Sequence, residues 1–190
     1  MLFRSKLIYA TPCSLDGYIG RDEYDWSAPP TDVELKVITD VMRPIGTYLY
    51  GRKTFQTMEV WEHPEAMPPE LMTPGGKDFT QVWLAADKIV YSRTLNSVST
   101  KKTQLKKEFD PQEIRQLKSA LNHDISVGGP ELAGEMIRAK LVDEIHLFIV
   151  PVIKGGGVPV LPKDRNIKLE LLEERRFGAG WIYLRYGTNP

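Results

Sequence analysis

The segment Asp124–Leu161 constrains the fold of this chain more than any other stretch, because it combines a strand, a glycine turn, a helix and a second strand. The β-branched run Ile125–Val127 stops at Gly128-Gly129, and helical spacing follows over Pro130–Ile137, with proline at an early helical position. Leu141–Val152 is a second apolar run. The connection between the two runs is long enough for a βαβ crossover, so we predict that both strands lie parallel in one sheet.

The glycine pair at the end of the first strand has two interpretations. A glycine pair that leads from a parallel strand into a helix lets a ligand phosphate approach backbone N–H groups at the positive end of the helix dipole. A tight turn that binds no ligand explains Gly128-Gly129 about as well. This motif alone leaves both alternatives open.

The same arrangement occurs earlier in the chain. Thr47–Tyr50 predicts a short strand, and Gly51-Arg52-Lys53-Thr54 opens a helix directly after it. The helix dipole disfavours two cations at this position, so they indicate either an anionic ligand or a solvated pair of charges. A third strand, Lys88–Tyr91, is followed by Ser92-Arg93. Because ligands bind at the carboxyl ends of strands in open α/β sheets, three such ends predict one anion site.

The remaining chain predicts an α/β fold in three layers, with a mixed, mostly parallel sheet, flanking helices and a C-terminal antiparallel hairpin. Helical spacing predicts helices at Thr31–Arg43, Asp78–Ala86 and Pro111–Leu121, and apolar runs predict a first strand at Lys6–Thr11 and hairpin strands at Ile167–Arg175 and Trp181–Tyr186. Val60–Lys77 is rich in proline and glycine and predicts an irregular flap near a site. The basic run between Arg93 and Lys107 is typical of a solvated edge.

Composition excludes several classes of protein. The 190 residues fit one domain, expected to span residues 1–190. Lys plus Arg and Asp plus Glu are both 25, so nothing global favours nucleic acid or an anionic membrane as a partner. The single cysteine, Cys13, and three scattered histidines indicate no disulfide and no metal site. No run approaches the ~20 apolar residues of a membrane span, and the N-terminal run is too short for a signal peptide, so we expect a soluble cytoplasmic protein.

Neither the dinucleotide fingerprint G-x-G-x-x-G nor the phosphate loop G-x-x-x-x-G-K-[ST] occurs, which disfavours a Rossmann domain and a nucleotide-hydrolysing phosphate loop. In order and spacing, the motifs instead resemble the dihydrofolate reductase-like superfamily. Within it they are most similar to stand-alone members of the RibD C-terminal domain family, the reductase family of riboflavin biosynthesis. The resemblance covers nearly the whole chain and rests on Ser14–Ile19, Gly51–Phe55, Val127–Gly129, Leu141–Ile145, Pro151-Val152 and Gly155–Leu161.

This resemblance implies an NADPH site. By matching position, Gly51, Arg52, Lys53 and Thr54 would hold the pyrophosphate and the 2′-phosphate, and Ser92 and Arg93 would meet the phosphate on the adenosine side. Gly128, Gly129, Glu131 and Leu132 would cradle the pyrophosphate, and Ala10 and Ile19 would flank the nicotinamide.

Fewer residues indicate where the substrate would bind than where the cofactor would bind. Reductases of the riboflavin type place the aspartate of the S-L-D-G segment near the substrate, which is Asp16 here; an Asp-Gly turn residue bonded to its own backbone is the alternative. Trp26 offers a ring for a substrate pocket or for the core. Dihydrofolate reductases carry a carboxylate on the helix before the Gly51 segment, but the matching face shows Leu35, Ile38 and Thr39, with Asp32 and Glu34 only at the start of that helix. Folate reduction is therefore disfavoured.

The resulting hypothesis is an NADPH-dependent reductase that transfers hydride to a C=N or C=O bond of a small heterocyclic substrate, pterin-like or pyrimidine-like. Asp16 would be its proton donor or substrate anchor, and Trp26 would contact the substrate. NADPH is favoured over NADH because no acidic residue follows Tyr50 or Tyr91 within four residues. The alternative is a non-catalytic nucleotide-binding or dimer-forming relative.

We also expect a homodimer. The resemblance implies pairing through the sheets, and the last hairpin holds more apolar residues than one face of a sheet edge needs, namely Leu169, Leu171, Trp181, Ile182 and Leu184.

Overall fold

A computed structural model describes residues 5–19 and 30–188, and the statements below refer to these residues. The strands are β1 (Leu7–Ser14), β2 (Tyr18–Ile19), β3 (Ile45–Gly51), β4 (Asp87–Tyr91), β5 (Thr103–Lys106), β6 (Asp124–Gly128), β7 (Glu144–Val150), β8 (Val158–Pro159), β9 (Leu169–Phe177) and β10 (Trp181–Thr188). The helices are α1 (Asp32–Met42), α2 (Arg52–Met58), α3 (Pro74–Ala85), α4 (Pro111–Ala120) and α5 (Pro130–Arg138). Three short 3-10 turns lie between α2 and α3, at Glu59–Glu62, Pro64–Ala66 and Pro69–Leu71.

Eight strands form one mixed sheet in the order β5-β4-β3-β6-β1-β7-β10-β9. The six strands from β5 to β7 run parallel, and β10 and β9 complete the sheet antiparallel to their neighbours. The predicted fold class is therefore confirmed. β6 and β7 are parallel as predicted, but β1 lies between them and pairs with both. β2 and β8 form a separate antiparallel pair.

The sheet is buried on both faces, and successive residues of β1 pack into different layers. Leu7 and Tyr9 belong to the apolar cluster that also holds Met136 of α5. Ile8 belongs to the cluster on the other face, which holds Trp83 of α3. Since side chains alternate across a strand, this division gives the helix–sheet–helix layering that the apolar strand pattern predicts.

The structure differs from the prediction before α3, where the sequence indicates an irregular flap over residues 60–77. α3 begins at Pro74, and the Thr73 hydroxyl accepts a hydrogen bond from the Gly76 N–H at 3.2 Å. A Cβ on Gly76 would lie 1.6 Å from the carbonyl oxygen of Leu71. The glycines that look like loop residues in the sequence thus permit a close backbone approach inside a helix. No residue of the 60–77 segment lines the cleft described below.

β5 is a strand that the sequence does not predict, since it lies inside the basic run after Arg93. It has only four residues and forms the outer edge of the sheet beside β4. Short, lysine-flanked strands are common at sheet edges, where they oppose pairing with other chains. β5 brings residues 107–109 next to the end of β4, where they line the cleft described below.

The C-terminal hairpin forms as predicted, with β9 and β10 joined by a turn at Gly178–Gly180. Trp181 and Tyr183 are buried in the core, whereas Ile182 between them is 40% exposed. Buried Glu34 holds the turn, because its carboxylate accepts hydrogen bonds from the Ala179 N–H and the Thr31 N–H, both at 2.9 Å. Glu34 therefore links the start of α1 to the hairpin. Among the described residues, no helix is both long and apolar enough to span a membrane.

Candidate functional site

A cleft of about 800 Å³ opens at the carboxyl ends of β3, β4 and β6. Most of the residues that the sequence indicates for cofactor binding line it: Ile19, Gly51, Arg52, Lys53, Thr54, Ser92, Arg93, Gly129, Glu131 and Leu132. β3 lies between β4 and β6 in the sheet, so the three predicted strand ends are adjacent. Their meeting at one edge follows from the parallel strand directions.

The glycine pair after β6 is required by packing within the chain. Gly129 has a φ of +95°, and a Cβ on it would lie 2.5 Å from the Thr54 hydroxyl oxygen. A Cβ on Gly128 would lie 2.6 Å from the ring of Tyr50. The tight-turn interpretation therefore accounts for both glycines without a ligand. Gly129 nonetheless lines the cleft, whereas Gly128 does not.

The N-terminus of α5 faces the same cleft. Pro130, Glu131 and Leu132 form its first turn and line the cleft beside Gly129, which is the N-cap residue. The free N–H groups and the positive dipole end of a helix favour an anion at such a position. Glu131 supplies a negative charge of its own there.

The loop after β4 is shaped by Ser92. Its hydroxyl oxygen accepts hydrogen bonds from the N–H groups of Thr94 and Leu95, at 3.2 and 3.0 Å. The Thr94 hydroxyl in turn accepts a bond from the Arg52 guanidinium at 2.8 Å. Buried Ser92 thus organises the turn, and Arg52 bridges the ends of β3 and β4.

Glu108 is a residue of the cleft that the sequence does not predict. It lies 3.0 Å from the guanidinium of Arg93, and both side chains are mostly exposed. Lys107 and Phe109 enter the cleft with it, and the Phe109 ring packs edge-on against Tyr91. The sequence does not indicate that Glu108 lies in the cleft, because residues 107–109 follow β5, a strand that the sequence does not predict.

The charge of the cleft is therefore mixed. Its cations are Arg52, Lys53, Arg93 and Lys107, and its acids are Glu108, Glu131 and Glu135. Of the basic run between Arg93 and Lys107, only the two ends line the cleft. Lys106 pairs with Glu113 outside it. Arg93 and Lys107 are thus the basic residues of this run that contribute charge to the cleft lining.

Ile19 and Val158 form one wall of the cleft through the β2–β8 pair. Gly157 has a φ of +133°, and a Cβ on it would lie 2.5 Å from the carbonyl oxygen of Ile19. This close approach brings the glycine-rich loop after β7 against β2. Ala10, the other residue indicated for the nicotinamide, is half-buried in β1 beside His146 and does not line the cleft.

Asp16, between β1 and β2, links that wall to the loop after β7. Its carboxylate accepts hydrogen bonds from the Ser14 hydroxyl at 2.6 Å, from the Lys154 N–H at 3.1 Å and from the Gly155 N–H at 2.8 Å. The Ser14 bond and these backbone bonds lower the pKa of Asp16 to about 2. An ionised carboxylate has no proton to give at neutral pH, so this geometry disfavours proton donation. Asp16, indicated as a substrate contact, does not line the cleft and instead holds the loop after β7.

The carboxylates of α1 are also used structurally. Asp32 accepts a hydrogen bond from the Gly75 N–H at 2.6 Å, which lowers its pKa. Burial raises the pKa of Glu34, but the hydrogen bonds from Thr31 and Ala179 outweigh burial and leave that pKa below its usual range. No described residue of α1 lines the cleft. Trp26, indicated as a substrate contact, lies outside the described residues.

Metal binding finds no support in the described part of the chain. No group of three or more His, Cys, Asp or Glu residues there is arranged to hold an ion. Cys13 is buried and is not in a disulfide.

Comparisons with known proteins agree with this architecture. The model of the RibD C-terminal domain family matches residues 5–183. A Bacillus subtilis (strain 168) protein named "Uncharacterized protein YyaP" is 30% identical over 192 residues, which cover 99% of this chain and 97% of that protein.

Two solved structures are similar in fold. The "Putative riboflavin biosynthesis protein" from Shewanella sp. PV-4 superposes with a TM-score of 0.73 at 18% identity, covering 98% of this chain and 99% of that one. Dihydrofolate reductase from Enterococcus faecalis, solved in complex with NADP(H) and RAB-propyl, gives a TM-score of 0.64 at 16% identity and covers all of both chains. At these identities the likeness shows the fold.

The hydroxyl of Ser14 offers a test of how Asp16 is held. We expect Ser14→Ala to raise the pKa of Asp16 from about 2 toward its ordinary value of 3.8, because the hydroxyl bond is the largest cause of the lowering. Since the folded-state pKa is lowered, the stabilisation is complete above 3.8 and is lost as the pH falls toward 2. Carbon-13 NMR titration of the carboxyl measures this pKa. Ser119→Ala, on α4, is the control, and an unchanged Asp16 pKa in Ser14→Ala would contradict the assignment.

Proposed function

Because this chain belongs to the RibD C-terminal domain family, we propose that it is an NADPH-dependent reductase that transfers hydride to a C=N or C=O bond of a small heterocyclic substrate. The observation that carries the proposal is the single cleft of about 800 Å³ that gathers three strand ends and the β2–β8 wall. Its size is in the range of cofactor sites. A nicotinamide cofactor fits the donors present, which combine cations, hydroxyls and a helix N-terminus.

The pyrophosphate would lie between the Gly51–Thr54 segment and the first turn of α5. Gly129, Glu131 and Leu132 line the cleft there, and the backbone N–H groups of a first helical turn have no carbonyl partner within the helix. Thr54 packs against Gly129 and keeps the two segments at a fixed separation. Together they form a rigid cradle for two phosphates.

The 2′-phosphate would lie where β3 and β4 end side by side. Arg52, Lys53 and Arg93 supply cations there, and short charge-assisted hydrogen bonds suit a phosphate dianion. Glu108 already forms an ion pair with the Arg93 guanidinium. A bound phosphate would compete with Glu108 for that guanidinium, whereas the Arg52 guanidinium donates to the uncharged hydroxyl of Thr94 and has no carboxylate partner among the described residues. Arg52 is therefore the cation we expect to select NADPH.

The nicotinamide would lie toward the wall formed by Ile19 and Val158. The reduced cofactor supplies the hydride, and the protein orients the rings and excludes water. Asp16 contributes by holding the Lys154-Gly155 backbone, so the glycine-rich loop keeps its place beside the cleft. Asp16 is thus proposed as a positioning residue for the reaction.

The rival hypothesis is a nucleotide-binding relative that does not turn over. One specific observation favours it: Asp16, Asp32 and Glu34 are all engaged in structural hydrogen bonds. These are the carboxylates that the sequence offers near the substrate end. A reductase that needs a protein acid would have to find it elsewhere.

Oxidation of the nicotinamide separates these hypotheses. NADPH is titrated first by fluorescence, and absorbance at the nicotinamide band is then followed against pterin, pyrimidine and quinone panels. We expect tight binding and oxidation with at least one heterocycle containing C=N or C=O. Binding without oxidation by any compound would favour the rival, and absence of binding would reject both.

Substitution of Arg52 tests the choice of cofactor. We expect Arg52→Ala to weaken NADPH binding by about ten- to a hundredfold, the usual cost of one charge-assisted hydrogen bond, and to leave NADH binding nearly unchanged. Fluorescence titration with both cofactors measures this. Arg176→Ala, on the exposed strand β9, controls for the loss of one positive charge. Equal losses for both cofactors would instead assign Arg52 to the shared pyrophosphate.

A homodimer that pairs through the C-terminal hairpin is a second part of the proposal. Large apolar side chains are exposed on this edge of the sheet: Leu169 (37%), Leu171 (49%), Leu172 (40%) and Ile182 (40%). Trp181 does not contribute, since it is buried in the monomer, and Leu184 is only partly exposed. An exposed apolar sheet edge favours pairing with a second copy.

Light scattering at micromolar concentration tests the dimer. We expect twice the monomer mass for the wild type and the monomer mass for the double variant Leu171→Lys/Ile182→Lys. Ile153→Lys is the control, since Ile153 is 76% exposed in the loop after β7 and should leave the dimer intact. A wild-type protein of monomer mass would refute the proposal.

A further inference from the structure

A second cleft, of about 470 Å³, lies at the opposite edge of the sheet from the first. It is built from the ends of α4 and α5, the segment that enters β7, and residues 165–168 before β9. Asp143 lies at its base, where its carboxylate accepts a hydrogen bond from the N–H of Leu7 at 2.7 Å. Leu7 is the first residue of β1, so this cleft is at the amino-terminal edge.

The lining of this second cleft is strongly basic. Its cations are Arg115, Lys118, Arg138, Lys140, Arg165 and Lys168, and Asp143 is the one acid among its described lining residues. The chain as a whole has equal numbers of acidic and basic residues. The positive charge here is therefore a local concentration, unlike the mixed charge of the first cleft.

Two of these cations have structural roles. Buried Lys118 donates to the carbonyl of Leu141 at 2.9 Å and pairs with Asp143 at 2.5 Å. Arg138 binds both carboxylate oxygens of Asp164, with N–O distances of 2.9 to 3.2 Å. This pairing fixes the loop that carries Arg165 over the end of α5.

The side chains of the other four, Arg115, Lys140, Arg165 and Lys168, form no hydrogen bond or ion pair within residues 5–19 and 30–188. A helix dipole favours cations at its C-terminal end, which accounts for Lys140 just after α5. It does not account for Arg115 in the middle of α4, or for Arg165 and Lys168 on a loop. Asp164, the neighbour of Arg165, is already paired with Arg138. Arg115, Arg165 and Lys168 therefore line the cleft as exposed cations without an ion pair to another described residue.

We propose that this second cleft binds a small polyanion with two or more phosphate groups. Such a ligand would relieve the mutual repulsion of the four cations, and the planar guanidinium groups of Arg115 and Arg165 can bind phosphate oxygens in pairs. Buried Ile137, Leu141 and Val142 contribute an apolar part of the cleft lining. The volume suits a small ligand.

This inference does not depend on the proposed reductase function. α5 begins at the first cleft and ends at the second, so the two sites are separated by about 13 Å of helix. Residue-resolved measurements can therefore observe them independently. Thr54 and Gly129 report on the first cleft, and Ser119, Lys140 and Asn166 report on the second.

The test is a titration with inorganic pyrophosphate followed by amide NMR at constant ionic strength. We expect saturable shifts at Ser119, Lys140 and Asn166, with a clearly weaker response to inorganic phosphate. The triple variant Lys140→Gln/Arg165→Gln/Lys168→Gln should bind pyrophosphate at least tenfold more weakly, as reported by Ser119 and Asn166. The control triple variant Lys36→Gln/Lys77→Gln/Arg176→Gln removes the same charge from exposed sites outside both clefts and should change the affinity by less than about twofold.

Arg115→Gln provides a second test, because it alters α4 and leaves the loop intact. It should weaken pyrophosphate binding several-fold at the second cleft and leave the shifts at Thr54 and Gly129 unchanged. Absence of saturable shifts at the second cleft in the wild type would overturn the proposal. Equal weakening in the cleft and control triple variants would also overturn it, because it would show non-specific attraction only.

Discussion

The position of β1 between β6 and β7 is the constraint on which the rest of the structure depends. Both pairings are parallel, so the carboxyl end of β1 points the same way as those of β3, β4 and β6. Because both faces of β1 are covered by helices, its residues must be apolar almost throughout. Functional groups can then stand only beyond the strand ends, and the topology collects them at one edge. The first cleft is a consequence of this strand order.

Close contacts at glycine residues determine how several segments pack, including two that border the first cleft. Gly129 meets Thr54, Gly157 meets Ile19, and Gly76 meets Leu71, each at a distance that a Cβ would not allow. The first two contacts form the cradle and the wall of the cleft, and the third packs the start of α3 against the preceding 3-10 turn. A glycine in a sequence signals freedom of the backbone, but it does not say which segment approaches. This is why the sequence identifies Gly128-Gly129 as important and leaves its role open.

Most of the fold and much of the first cleft could be predicted, because strands followed by glycine and polar residues are local signals. Arg52, Ser92 and Gly129 were found in this way, and parallel strand order brings them together. Glu108 could not be found, since it reaches Arg93 only through β5, a four-residue strand with no apolar pattern. The start of α3 was missed for a related reason, because Gly75 there packs against Asp32 of α1, a residue that is distant in the sequence.

Residue type alone does not predict the role of the carboxylates that the sequence offers near the substrate end. Asp16 lies in a segment that suggests acid chemistry, yet three hydrogen bonds lower its pKa, one from the Ser14 hydroxyl and two from backbone N–H groups of a loop. Asp32 binds the start of α3, and Glu34 binds the hairpin turn. Each of these bonds stabilises the charged form, so each lowers the tendency of the carboxyl to carry a proton. A reduction in this cleft would then draw its proton from solvent or from the substrate, while these three carboxylates stabilise the loop beside the cleft, the start of α3 and the hairpin turn.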